Sequence, residues 1–213
     1  VHYDSKDDRG IDVGFLYNPT YFKVLKSAPL DVEFNYQDGS SRKTRDVLWV
    51  YGLFRGEPVH VFVNHWPSRR GGEEASAPGR AAAAKVCRTK ADSIMKASPT
   101  HKIFIMGDLN DDPVSPSLVE VLKSEGSIEE LEAGELFNPW EAYYKKGIGT
   151  LAYNDAWNLF DQIVFTQNLL DTKQDGFFYK EAVIFNKPFM VQKSGRYKGY
   201  PLRTYDFDVY MRG

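Results

Sequence analysis

Short apolar runs separated by turn residues recur along this chain and indicate many β-strands. The clearest pair covers residues 46–53 and 59–64, and the joining segment Arg55-Gly56-Glu57-Pro58 predicts a β-hairpin. Alternate residues of the second run are valines and therefore share one face of a strand. His65 follows this run directly, so we expect it at the C-terminal end of a strand.

Two further segments predict strands at 102–106 and 161–166, because each is a short apolar run bounded by polar residues. Residues 80–96 contain four consecutive alanines and lack Gly and Pro, which predicts a helix. Ser115 before Pro116 predicts a short helix over 116–124. Weaker patterns predict strands at 11–17, 22–25, 31–36, 183–185 and 208–211, a turn at 37–40, and loop over most of 126–158. Many strands with two interspersed helices predict an α/β fold of two packed sheets with helices outside.

Length and composition favour an ordinary globular chain. With 213 residues, 42% of them hydrophobic, the chain fits one domain with a sizeable core. A disulfide framework is excluded because Cys87 stands alone, and no apolar run approaches the roughly 20 residues that span a bilayer. The formal net charge of −2 argues against a tight binder of duplex DNA. We expect a monomer, and the sequence leaves its compartment open, export included.

Polar clusters follow three of the expected strands, where rigidly held loops commonly carry functional side chains. The first is Asn64-His65-Trp66-Pro67-Ser68, which continues into Arg69 and Arg70. Arginine side chains and backbone N–H groups in such a loop suit an anion such as phosphate. Two simpler interpretations stay open, namely a buried structural histidine and a solvated charged loop.

The second cluster, Gly107-Asp108-Leu109-Asn110, places a carboxylate and an amide two residues apart after a buried strand. Such oxygen ligands suit Mg²⁺, and a carboxylate there could orient or deprotonate a water molecule. The alternative is an Asx-turn, in which both side chains bond only their own backbone. The third cluster is Asp161, which either orients a catalytic histidine or caps a turn.

Taken in order, four blocks resemble the endonuclease/exonuclease/phosphatase family, which includes deoxyribonuclease I. The blocks are Arg9-Gly10-Ile11-Asp12-Val13, Asn64-His65-Trp66-Pro67-Ser68, Gly107-Asp108-Leu109-Asn110-Asp111-Asp112-Pro113 and Phe160-Asp161-Gln162-Ile163. The resemblance implies a four-layer α/β sandwich, in which two mostly antiparallel sheets face each other with helices outside. It also implies hydrolysis of phosphodiesters or phosphomonoesters with Mg²⁺, or with Mn²⁺ or Ca²⁺ in its place.

The resemblance also implies a role for each site residue. Asp108 would activate the attacking water, and Asn110 would hold that water, a phosphate oxygen or the metal shell, so both count as metal ligands. His65 would contact the phosphate, and Asp161 would support a catalytic histidine. We assign contacts with the phosphate-ester substrate to five residues: Arg9, Ser68, Arg69, Trp157 and Asn158.

Two departures from the family pattern concern the ends of the chain. The family's early Asn and metal-binding Glu precede the Arg9 block and would lie before Val1, so we expect a single domain over 1–213 that lacks its N-terminal part. The family's late Ser-Asp-His triplet has no counterpart, since no histidine follows His101. We expect these residues to lie outside this sequence. The alternative is a non-catalytic phosphate-binding or interaction domain on the same scaffold. The substrate stays open among DNA, RNA, phospholipid and inositol phosphate.

Overall fold

A mixed seven-stranded sheet with the order β1-β2-β3-β4-β9-β6-β5 is the centre of the fold, and β7 and β8 form a separate hairpin. The structure is a computed structural model that describes residues 1–7, 9–35, 43–153 and 155–202. The strands are β1 Phe22–Leu30, β2 Val47–Phe54, β3 Glu57–His65, β4 Lys102–Asp108, β5 Ser124–Glu125, β6 Leu136–Phe137, β7 Leu151–Tyr153, β8 Ala156–Asn158 and β9 Asp161–Thr166. The helices are α1 Glu73–Ala97 and α2 Glu141–Tyr144, with a π-helical turn at Ser117–Leu122 and 3₁₀ turns at Gln167–Leu170 and Pro188–Met190.

The β2–β3 hairpin confirms the strongest sequence prediction. Its turn residues Arg55 and Gly56 have φ values of 49° and 92°, a left-handed pair that matches the twist of the flanking strands. Strand β3 pairs in parallel with β4, and β4 pairs antiparallel with β9. The C-terminal ends of β3 and β4 therefore meet the N-terminal end of β9 at one edge of the sheet.

Helix α1 covers one face of the sheet with small side chains. Ala84, Cys87 and Ala91 are fully buried in the same cluster as Phe62 and Ile105 of the sheet. Small residues let the helix backbone approach the sheet closely, which explains the alanine-rich sequence. The opposite face of the sheet packs against the N-terminal segment, which contributes Val1, Val13 and Phe15 to a second cluster.

Several predicted elements have different boundaries in the structure. Helix α1 begins at Glu73, before the predicted residue 80, and includes Pro78. The proline removes one hydrogen bond near the start of a 25-residue helix, and Ser76 Oγ donates to the carbonyl of Gly72 there. The predicted helix over 116–124 is a π-helical turn, and the predicted loop over 126–158 contains β6, α2 and the β7–β8 hairpin.

The weaker strand predictions are mostly wrong. Residues 11–17 form only an isolated bridge between His2 and Gly14, because this segment lies beside the first residues of the chain and not beside a long strand. One strand, β1, replaces the two predicted at 22–25 and 31–36, and residues 183–185 are not a strand. The turn predicted at 37–40 and the strand at 208–211 lie outside the described residues, as does residue 36.

The α/β class is confirmed, but the number of large sheets differs from the expectation. The described residues form one large sheet, which is mostly antiparallel. They do not form the second large sheet that a four-layer sandwich requires. None of the helices in the described part of the chain is long and apolar enough to cross a membrane.

A buried histidine makes folding stability depend on pH. His60 accepts a hydrogen bond at Nδ1 from Trp49 Nε1 (3.2 Å), and its Nε2 lies 3.0 Å from Nδ1 of His101. Burial, with smaller contributions from His101 and Lys90, lowers the pKa of His60 to about 4 from its ordinary value of 6.5. The unfolded chain therefore binds more protons than the native protein between about pH 4 and pH 6.5.

We expect the melting temperature to rise as the pH increases from about 4 to about 6.5, and to level off above that range. Thermal unfolding followed by circular dichroism across this range measures the effect. His60→Gln, which cannot be protonated, should flatten the profile. A variant as pH-dependent as the unmutated protein would assign the dependence to other groups.

Candidate active site

Three of the sequence-predicted residues lie side by side at one edge of the central sheet. His65 is the last residue of β3, Asp108 the last of β4, and Asp161 the first of β9. The strand register places Asp108 opposite both His65 and Asp161. His65 Nε2 lies 3.7 Å from Asp108 Oδ2, and these two side chains are 33% and 39% exposed. A ligand can therefore reach both.

The residue before Asp108 has to be a glycine, and the backbone at Gly107 shows why. Its φ is +133°, and a Cβ at this position would lie only 2.0 Å from the backbone oxygen of Asn64. Any side chain here would strain the backbone and separate β3 from β4. Glycine thus permits the close pairing that sets Asp108 beside His65.

Asn110 lies directly behind the carboxylate. Its backbone N–H donates to Asp108 Oδ1 (2.9 Å), and its side-chain Nδ2 donates to the carbonyl of Trp66 (2.9 Å). The first contact is an Asx-turn, so that alternative is part of the structure. It leaves Asp108 Oδ2 directed towards His65, and it leaves the amide oxygen of Asn110 as the atom suited to a ligand.

The surroundings shift the pKa values of His65 and Asp108 in opposite directions. Burial, followed by the charge of Arg45, lowers the pKa of His65 despite the nearby carboxylate of Asp108. Burial raises the pKa of Asp108, and the charge of Asp161 adds to this effect against the hydrogen bond from Asn110. The lowered pKa favours the neutral form of His65 at neutral pH.

Asp161 connects this edge to the β7–β8 hairpin. Thr150 Oγ1 donates to Asp161 Oδ2 (2.7 Å), and the backbone N–H of Thr150 donates to the carbonyl of Asn158 (2.9 Å). Trp157 is the neighbour of Asn158 on β8 and is 37% exposed. The hairpin therefore lies beside the site, and contact of Trp157 and Asn158 with substrate stays a prediction. In the described part of the chain no histidine contacts Asp161, so its supporting role stays a prediction.

Arg69 has structural contacts that the sequence did not indicate. Its Nε donates to the carbonyl of Asn110 (3.0 Å), and its Nη2 lies 3.2 Å from Asp111 Oδ1 and 3.1 Å from Asp112 Oδ2. Its Nη1 pairs with Glu73 (3.0 Å). Arg69 thus holds the loop after β4 in place, and its contact with substrate stays a prediction. Ser68, next to it, is exposed on the loop.

Arg45 is a functional neighbour of His65 that the sequence analysis missed. Its side chain is 2% exposed, and it donates to the carbonyls of His65 (2.9 Å) and Trp66 (2.7 Å). Asp7 pairs with Arg45 Nη1 at 2.9 Å and with Arg9 Nη2 at 3.0 Å. Arg9 is half-exposed, and its charge also lowers the pKa of His65; its contact with substrate stays a prediction. Nothing in the local sequence marks Arg45 as buried.

Asn64 and the buried ion pair between Arg80 and Asp111 hold segments that carry the site residues. Asn64 Oδ1 accepts hydrogen bonds from Trp66 Nε1 (2.9 Å) and from the thiol of Cys87 (3.1 Å). Arg80 Nε lies 2.7 Å from Asp111 Oδ1, and both side chains are almost fully buried. The position of Asn64 directly before His65 could have indicated from the sequence that it belongs to the site. Nothing about an arginine in an alanine-rich helix indicates that it is buried.

The donor set fits a hard divalent cation. Asp108 and Asn110 offer a carboxylate and an amide oxygen, and Asp161 adds a second carboxyl group opposite Asp108. Magnesium is typically bound through one or two carboxylates, with water and substrate phosphate completing its shell. A group of three His and Asp side chains with converging ligand atoms also occurs in the described N-terminal segment, at His2, Asp4 and Asp12.

Comparisons with known proteins support the resemblance. A family model described as the Endonuclease/Exonuclease/phosphatase family matches residues 1–213. None of the curated proteins matches the sequence.

Similar solved structures include the human Nocturnin catalytic domain with bound sulfate (15% identity, TM-score 0.48, covering 70% of this chain and 49% of that one). Truncated TDP2 from Caenorhabditis elegans is 20% identical (TM-score 0.46; 68% and 54% covered). A mannosyl-6-phosphatase from Bacteroides thetaiotaomicron is 13% identical (TM-score 0.44; 71% and 55% covered). The chain thus spans about half the length of these structures, and similarity at this level carries no argument about substrate.

Proposed function

The chain belongs to the endonuclease/exonuclease/phosphatase family, and on that premise we propose that it is a metal-dependent phosphoesterase. It hydrolyses a phosphodiester or a phosphomonoester by in-line attack of water. The observation that carries the proposal is the arrangement of His65, Asp108 and Asp161 on three adjacent strands, partly open to solvent. A bound Mg²⁺, or Mn²⁺ or Ca²⁺, would be held by Asp108 and Asn110 and would stabilise negative charge on the phosphoryl oxygens.

In this mechanism Asp108 orients the attacking water and accepts its proton. The burial that raises the pKa of Asp108 also makes the carboxylate a stronger base than an exposed aspartate. Neutral His65 donates a ring N–H to a phosphoryl oxygen, where charge develops in the transition state. Arg45 holds the backbone of His65, and Thr150 holds Asp161. These contacts keep the side chains oriented before the substrate binds.

We also propose that residues 1–213 belong to a single domain of the family's four-layer sandwich and act as a monomer. In that sandwich a second large sheet would cover the face of this sheet opposite α1. The face of the sheet opposite α1 supports this proposal, because Val63, Phe104 and Met106 are only partly buried there and Ile163 is 39% exposed. Apolar side chains in such positions are typical of a face that a second sheet covers.

We expect hydrolysis of at least one phosphate ester in the presence of Mg²⁺, loss of activity in EDTA, and recovery when Mg²⁺ is added in excess. The assay is a panel of plasmid DNA, RNA, sphingomyelin, inositol phosphates and a chromogenic phosphodiester, with Mn²⁺ and Ca²⁺ tested in parallel. Full activity in EDTA would contradict the metal requirement. Binding of phosphate esters without hydrolysis of any of them would favour the alternative, a non-catalytic phosphate-binding domain.

A further inference from the structure

A closed loop at residues 190–202 packs against the β7–β8 hairpin. The backbone N–H of Leu202 donates to the carbonyl of Met190 (2.7 Å), and that of Gln192 donates to the carbonyl of Tyr200 (2.8 Å). These bonds close the base of the loop and project residues 193–198 as its tip. We refer to residues 190–202 as the C-terminal loop.

Aromatic rings join the C-terminal loop to the hairpin. The rings of Tyr200 and Trp157 are 5.8 Å apart, and those of Tyr197 and Tyr200 are 5.5 Å apart. The hydroxyl of Tyr200 also bonds to Asp155 in the hairpin turn. Tyr197 is 41% exposed and Trp157 is 37% exposed. The two elements therefore present two partly exposed rings that are joined through Tyr200.

The same loop is strongly basic although the whole chain carries a net charge of −2. Residues 187–202 contain four basic side chains and no acidic one. Three of them, Lys193, Arg196 and Lys198, lie at the tip, and within the described ranges none forms an ion pair. The Arg196 guanidinium lies 5.6 Å from the ring of Tyr197, so charge and ring occupy one surface.

This surface lies beside the candidate active site. Thr150 precedes β7 and bonds to Asp161, and Leu151 pairs with Asn158, the neighbour of Trp157. A substrate bound at the candidate active site could therefore extend over Trp157 towards the tip of the C-terminal loop.

We propose that the C-terminal loop and the β7–β8 hairpin together bind single-stranded nucleic acid, with unpaired bases on the rings and backbone phosphates at the tip cations. The inference rests on the proposed function, since it names the substrate class of that site. A strand repeats both its bases and its phosphates, so one ligand can place bases on the rings and phosphates at the tip cations. In a duplex the bases are stacked on one another, so exposed rings favour a single strand.

The test is binding of fluorescein-labelled 12-nucleotide oligothymidine, followed by fluorescence anisotropy in EDTA so that metal-dependent hydrolysis does not interfere. We expect tighter binding to the single strand than to the same length of duplex. Tyr197→Ala and Trp157→Ala should each weaken binding about tenfold, the effect of losing one stacked base. Lys193→Gln combined with Arg196→Gln should reduce the slope of log K against log salt by about 1.4, the contribution of two phosphate contacts.

Matched controls are Tyr21→Ala and Lys85→Gln, which change an exposed ring and an exposed charge on other elements and should leave binding unchanged. Equal affinity for duplex and single strand, unchanged affinity in the ring variants, or stronger binding to vesicles of anionic phospholipid would each overturn the inference. Because binding is measured without metal, its outcome is separate from that of the proposed function. Strand binding without hydrolysis would contradict only the enzyme, and hydrolysis without strand binding would contradict only this surface.

Discussion

Replacing Asp108 by alanine is expected to reduce phosphoester hydrolysis about 10²–10⁴-fold, the usual contribution of a positioned acid–base group. Asp108 lies between His65 and Asp161 at the sheet edge, and its Oδ2 is accessible to a ligand. In the proposed mechanism, the substitution removes the base that would accept the proton of water and one ligand that would hold the metal. The fold should persist, because the carboxylate is partly exposed. Its pKa is raised because burial disfavours the charged form, so removing the carboxylate should cost little stability.

The comparison variant must be an aspartate with a purely local role. Asp112, in the same loop, does not qualify, since its Oδ1 accepts the backbone N–H of Leu159 (2.8 Å) and its Oδ2 pairs with Arg69. Asp171 is exposed, and within the described part of the chain its carboxylate accepts only the backbone N–H of Lys173, as a turn-capping residue does. The measurement compares the initial rates of Asp108→Ala and Asp171→Ala, after similar melting temperatures of the two variants have been confirmed. Equal rates would remove Asp108 from the mechanism.

Local sequence signals predicted the parts of the fold that depend on neighbouring residues. The β2–β3 hairpin has a turn whose residues favour it and strands with alternating apolar positions, so its boundaries were close to those observed. The ends of β3, β4 and β9 were also predictable, and with them His65, Asp108 and Asp161. Their convergence required the order and register of three strands, which the chain determines through contacts distant in sequence.

Buried charges were the features that the sequence could not reveal. Arg45 and Arg80 resemble surface residues by type, and each is buried only because a carboxylate distant in the chain pairs with it. Asp111 and Asp112 likewise resemble a solvated acidic loop, but both are buried under Arg69. Local patterns report the chemistry of a side chain, whereas its burial depends on partners that the fold supplies.

Replacing Arg80 by methionine is expected to lower the free energy of unfolding by about 3 kcal/mol, because it leaves a buried carboxylate without its closest cation. Asp111 keeps the hydroxyl of Ser117 (2.6 Å) and Nη2 of Arg69 (3.2 Å), which limit the loss. Urea unfolding measures the change. Lys6→Met is the control, since both members of its pair with Asp31 are exposed and its loss should leave the free energy of unfolding nearly unchanged.

The same variant should reduce kcat more than it changes KM, because Arg80 acts on the site through the loop that carries Asn110. The carbonyl of Asp111 accepts Gln162 Nε2 (2.7 Å), so a shift of Asp111 reaches β9 as well as β4. Adding Asp111→Leu to Arg80→Met removes the unpaired charge and should recover much of the stability, because replacing both partners of a buried pair by apolar groups is often nearly neutral. It should not recover kcat, since the loop still lacks its ion pair with Arg80 of α1 and keeps only the contacts of Arg69. Recovery of both quantities in the double variant would show that the pair affects stability alone and does not position the catalytic loop.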